Sequence, residues 1–126
     1  MAITNTGAVL AAQALMNDSA TFLNNANSYL GVGDSSTAFS AAHTDLQAST
    51  NKLRKAMDST YPQRSSNVIT FRSTFGTADA NFAWQEWAVF NAAASGTMFS
   101  RKVESLGTKT GAQSWQLTAA ITVAAA

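Results

Sequence analysis

One histidine is available for acid–base work in this chain. His43 stands two residues before Asp45 in a polar stretch, and serine is abundant, so any nucleophile–base–acid relay would have to run through it. No serine sits in a Gly-x-Ser-x-Gly elbow, and His43 reads as a solvated or helix-start residue. Glu86 is the one acid inside a strongly apolar run, between Trp84 and Trp87. Three readings fit it: a carboxyl with a raised pKa, a buried acceptor paired with an arginine, or an exposed group on a sheet face. The remaining acids are too scattered for paired-carboxylate glycoside chemistry.

Gly31-Val32-Gly33-Asp34 has the look of a phosphate-cradling loop, but it lacks a third glycine and a following amphipathic helix. Turn geometry accounts for both glycines. Asp34, Ser35 and Ser36 lack the alternating carboxylates of a calcium loop. There is no cysteine, hence no thiolate metal site and no thiol nucleophile. Lys52, Arg54, Lys55 and Arg64 form the one basic concentration, with Tyr61 the only aromatic among them, which is thin for a nucleic-acid surface. Trp84, Trp87 and Trp115 could make a sugar-stacking platform, but aromatics at strand spacing more commonly build core. The residues therefore predict no enzyme, no cofactor and no metal.

Residues 8–16 are good helix formers, with Asn5 or Thr6 as a start and Asn17 or Asp18 as a stop. Residues 31–36 read as a turn-rich loop, and 41–48 as a second short helix. From residue 52 the period becomes two. Strands are predicted at 68–75, 82–90, 97–103 and 115–123. In the second of these, the apolar parity switches between Trp84 and Trp87, which requires a bulge near Gln85 or cover on both faces. Gly107 to Gly111 reads as a hairpin-like link between the last two strands. The sum is a single mainly-β domain over 1–126, an antiparallel β-sandwich. It comprises a helical segment at 1–28, a Gly/Ser/Thr-rich loop region at 29–51 and an antiparallel β core at 52–126.

Charged residues are only 12% of the chain, about half the usual share. Residues 1–51 hold Asp18, Asp34 and Asp45 and no lysine or arginine, and all eight lysines and arginines follow. A net charge of +1 does not suit a strongly basic nucleic-acid binder. No apolar run is long enough for a spanning helix, and the start carries no basic signal region. So little charge is what a surface covered by other subunits can tolerate.

Two ordered sets of residues carry a family resemblance. The first is Tyr29-Leu30-Gly31-Val32-Gly33-Asp34, then Thr44-Asp45-Leu46, then Lys52-Leu53-Arg54-Lys55. The second runs from Phe82 through Trp84, Glu86, Trp87 and Phe90 to Ala92, then Gly96-Thr97-Met98-Phe99-Ser100-Arg101, and ends at Trp115-Gln116-Leu117-Thr118. Together they resemble the N-terminal domains of bacteriophage tail-collar and tail-fibre proteins and similar small virion structural proteins. Ala88 departs from that pattern, where glycine is frequent, and the chain stops at Ala126, where fibres usually continue into a shaft.

The resemblance implies a stand-alone tail or neck adaptor, or a fibre-base subunit, located in the virion and assembled in the host cytoplasm. Its partners would be copies of itself and other virion proteins, with no membrane and no specific nucleic acid. It implies no catalytic residue. Asp34 would order its loop, and Glu86 would accept bonds from backbone or arginine. The acidic, Ala-rich start (Ala11, Ala12, Ala14) would pack on a neighbour, and the basic strand would meet that acidic half across the interface. Rival readings are a capsid decoration protein, a carbohydrate-binding module and, more distantly, a small hydrolase.

Overall fold

The computed structural model describes residues 2–124. In chain order the elements are β1 (Ala2–Ile3), α1 (Asn5–Met16), β2 (Tyr29–Gly33), β3 (Lys52–Ala56), β4 (Gln63–Ser65), β5 (Val68–Phe75), β6 (Ala83–Phe90), β7 (Met98–Thr108) and β8 (Trp115–Thr122). Two antiparallel sheets face each other, one ordered β1-β7-β6-β2-β3 and the other β4-β5-β8. This is the antiparallel sandwich with an N-terminal helix that the periodicities predict. Leu30, Val32, Phe71, Phe75, Trp84, Val89, Leu117 and Ile121 fill the space between the sheets. Burial of these side chains is the main favourable term for the fold.

The start of α1 is set by a tertiary contact. Thr4, one residue before the expected cap, is buried; its Oγ1 accepts the Gly7 amide at 2.9 Å and donates to the Met98 carbonyl of β7. Asn17 ends the helix in the left-handed region. Gly7 brings α1 onto β7 so closely that a Cβ there would overlap the Phe99 carbonyl oxygen and lie 2.9 Å from Phe99 Cα. Gly7→Ala should therefore invert the usual preference. Alanine gains about 1 kcal/mol of helix propensity, but displacing a strand backbone costs about 1–3 kcal/mol. A net loss is expected, read as a lower urea midpoint with an unchanged m-value.

Four expectations from the sequence need correction. No second helix forms at 41–48. There the Leu46 amide bonds to Asp45, and the Gln47 and Ala48 amides bond to Glu86, so none of the three is free for an i−4 ladder. Residues 29–33 are a strand, β2, central between β3 and β6, with Gly31 and Gly33 giving space to neighbouring side chains instead of making a turn. The link from β7 to β8 is no hairpin. It crosses from one sheet to the other, because β7 pairs with β6 and β1 while β8 pairs with β5. Buried Lys109 pins that crossing, donating to the Gly76 carbonyl at 2.6 Å and to Asn81 Oδ1 at 2.8 Å. Finally, β7 extends past residue 103 to Thr108 because its ladder with β6 continues to Ala83.

The parity switch in β6 has both of its possible causes. A register irregularity lies between Trp84 and Glu86, and both faces of the strand are covered. Trp84, Trp87 and Val89 point into the sandwich, whereas Glu86, Ala88 and Phe90 belong to the opposite face, beneath the segment 34–51.

Candidate functional site

That outer face gathers most of the residues singled out above. Ala88 of β6 pairs with Gly31 on one side and Arg101 on the other, and Glu86 pairs with Gly33. Glu86 and Arg101 form an ion pair at 2.8 Å with both side chains wholly buried. Glu86 Oε1 also accepts the Gln47 amide and Oε2 the Ala48 amide, each at 2.8 Å. Arg101 Nη2 donates to the Thr37 carbonyl at 2.9 Å. The pair thus fastens both ends of a 34–51 cover to the sheet, with charge-assisted bonds in a dry setting.

The glycines make this possible. A Cβ on Gly33 would overlap Glu86 Oε2, and one on Gly31 would lie 2.8 Å from the Phe90 ring. Leu46 drops from the cover onto Ala88, Phe90 and Met98, making a small second core. Asp34 closes the base of the cover: its Oδ2 accepts from Asn51 at 2.8 Å and its amide donates to the Asn51 carbonyl.

The basic strand β3 is neutralised from within its own chain. Arg54 stacks over Phe90 at 3.5 Å, donates to the carbonyls of Ala92 and Ser95, and reaches Asp45 at 3.3 Å. Lys52 meets Asp45 at 3.0 Å, and Lys55 meets Asp79 at 2.8 Å. Arg54 therefore ties the cover, the β6–β7 turn and the sheet together.

Burial by itself would raise the Asp45 carboxyl. Bonds from Lys52, the Leu46 amide and Arg54, with the charge of Lys52, outweigh it and hold the group below the usual aspartate range. The hydrogen bond from Lys55, helped by the Gly76 amide, holds Asp79 low as well. A carboxylate depressed on folding adds stability that is fully present above its unfolded pKa of about 3.9 and lost as pH falls through the lower folded value. Asp45→Asn should therefore destabilise the protein at pH 7 by the amount expected of an exposed pair, at most about 1 kcal/mol, seen as a small fall in Tm. Thermal scans should show the two proteins converging below about pH 4.

His43 does not join Asp45. Its Nδ1 accepts the Ser40 amide at 3.2 Å, while both Asp45 oxygens are occupied by Lys52, Arg54 and the Leu46 amide. The arrangement is not a catalytic relay. Among the described residues, no group of three His, Cys, Asp or Glu side chains is placed to hold a metal. Trp84 and Trp87 are buried, Trp84 donating its indole N–H to the Ala80 carbonyl at 2.9 Å. Half-buried Trp115 stacks edge-on to Trp84 at 5.0 Å. The three tryptophans do not present a shared flat platform to solvent.

Sequence reasoning passed over the exposed apolar surface. Leu15 of α1 is 90% exposed and Met16 78%, with Val9, Phe22 and Val123 also open. Leu10, Ala14, Leu15, Phe22, Ile69 and Val123 are among the residues lining a groove of about 390 Å³ between α1 and the ends of β5 and β8. The available signal was the absence of any charged residue in 1–17 and 110–126. No protein-family model matches the chain, and no curated protein sequence matches it.

Proposed function

We propose that this chain is a structural subunit of a bacteriophage virion, a tail or neck adaptor or fibre-base piece that works by self-assembly and docking. The observation that carries the reading is the division of the surface. Every one of the eight lysines and arginines finds an acceptor within its own chain. The uncharged N-terminal helix, in contrast, displays Val9, Leu15 and Met16 to solvent beside an apolar groove. An exposed apolar patch of this kind marks a surface that another protein covers. Cations already engaged within the chain leave little to draw a polyanion. The resemblance carried by Gly31, Gly33, Asp34, Glu86 and Arg101 supplies the kind of assembly.

Light scattering over a concentration series is expected to give a discrete oligomer of the purified chain. Mass spectrometry of purified particles is expected to find it in fixed ratio to a shell protein. A chain absent from particles and monomeric at high concentration would overturn the reading.

A further inference from the structure

The strand edges of the sandwich differ in how they are protected. Unprotected edges recruit other strands, and proteins blunt them with charge, proline or shortness. Among the described residues, β1 has two residues, and the rest of the β7 edge carries the Lys102–Glu104 pair. β3 bears Lys52, Arg54 and Lys55, and β4 is three residues long with Arg64 at its centre. β8 has none of these devices. It runs for eight residues, contains no charge and no proline, and among the described residues pairs in unbroken register with β5 on one side only. Its outward side chains Gln116, Thr118, Ala120 and Thr122 are exposed.

The two ends of β8 differ in a complementary way. Half-buried Trp115 stands at one end, beside an opening lined by Trp84, Leu106 and Leu117. Val123, 61% exposed, stands just past the other, at the apolar groove with α1. We propose that a second copy of this chain docks on the free edge of β8, strand antiparallel to strand about a two-fold axis at Ala119, giving one six-stranded sheet. In that register Trp115 faces the partner subunit's Val123, Leu117 the partner subunit's Ile121, and Thr118 the partner subunit's Ala120. Both half-open ends are covered twice over by one contact, as an isologous interface requires, and no like charges meet. The proposal rests on the reading of the chain as a self-assembling subunit and names the surface that does it.

The chain has no cysteine, so introduced cysteines report the register directly. Full-length Gln116→Cys and Thr122→Cys, mixed and oxidised, should give a disulfide-linked heterodimer. Either alone should not, since like positions would lie six residues, about 20 Å, apart along the strands. Ala120→Lys, at an exposed position opposite Thr70 of β5, should weaken association at least tenfold while leaving far-UV circular dichroism unchanged, with Tm compared at a dilution where both proteins are monomeric. Thr118, which faces Arg72, is left alone. Failure of the mixed pair to cross-link, equal cross-linking by one variant alone, or association indifferent to Ala120→Lys would overturn the β8 contact. If the wild-type chain still oligomerises in those cases, self-assembly stands and only this edge is wrong. A wild-type chain monomeric at high concentration removes both.

Discussion

Glu86→Ala is expected to destabilise the fold by about 3–5 kcal/mol, a fall in Tm of roughly 10–20 °C. The loss would not measure the worth of the ion pair. It would measure what is left behind: a buried Arg101 guanidinium without a counter-charge and two buried amides, of Gln47 and Ala48, without acceptors. Arg101 has no slack to absorb this, because its Nη1 already lacks an acceptor among the described residues. Removing both charges is a different experiment. Glu86→Leu with Arg101→Met replaces the pair by apolar groups of similar volume and should cost less than Glu86→Ala alone, since the desolvation of both ions is also removed. Urea unfolding of the three proteins separates these outcomes. Limited proteolysis gives a local readout, in which Glu86→Ala should open cleavage within 35–51 at urea concentrations where the sandwich is still intact. A Glu86→Ala protein as stable as the wild type would mean that the cover is held by Leu46 and Arg54 and that the buried pair is dispensable.

Legibility of the sequence followed the range of the forces involved. Strands β5 and β8 are readable because one face is core and the other solvent, so alternation such as Leu117, Ala119 and Ile121 against Gln116, Thr118 and Ala120 marks them. β6 was readable as a strand but its faces were not, because Glu86 and Phe90 are covered from outside the sandwich by residues some forty positions away. β2 was hidden for the same reason. Two glycines in five residues signal a turn locally, and only the side chains of β6 lying across them explain a strand. The stretch 41–48 has local helix preference, but its amides are taken by Glu86 and Asp45. The glycines, Glu86 and Arg101 could be picked out as unusual one at a time. That they form one fastening is a long-range fact, and no spacing along the chain encodes it. The open edge of β8 was equally invisible, since an edge is defined by which strand is missing beside it.

Gly33→Ala tests the fastening from the other side, and its sign should depend on what stands at position 86. The backbone at Gly33 is ordinary extended strand, so alanine is no conformational burden and by removing chain entropy would add about 0.4–1 kcal/mol of stability. Space decides against it. A Cβ there overlaps Glu86 Oε2 and comes within 3.0 Å of its Cδ and 3.1 Å of the Ala48 methyl. A free carboxylate would swing away at little cost. This one is held at 2.8 Å by Arg101, Gln47 and Ala48 at once, so moving it breaks charge-assisted bonds in a buried setting. A loss of about 2–4 kcal/mol is expected in the wild-type background, between simple overpacking and outright removal of the carboxylate. In a Glu86→Ala background the obstruction is gone, and the added methyl enters space the carboxylate has vacated. There Gly33→Ala should be neutral or stabilising. Glu86→Gln keeps the bulk and should retain the penalty. Urea midpoints for the double-mutant cycle read the coupling as a change of sign, beyond the few tenths of a kcal/mol by which independent sites depart from additivity. Equal penalties in both backgrounds would show that Gly33 is required by Ala48 and the cover backbone, with the Glu86 carboxylate a bystander.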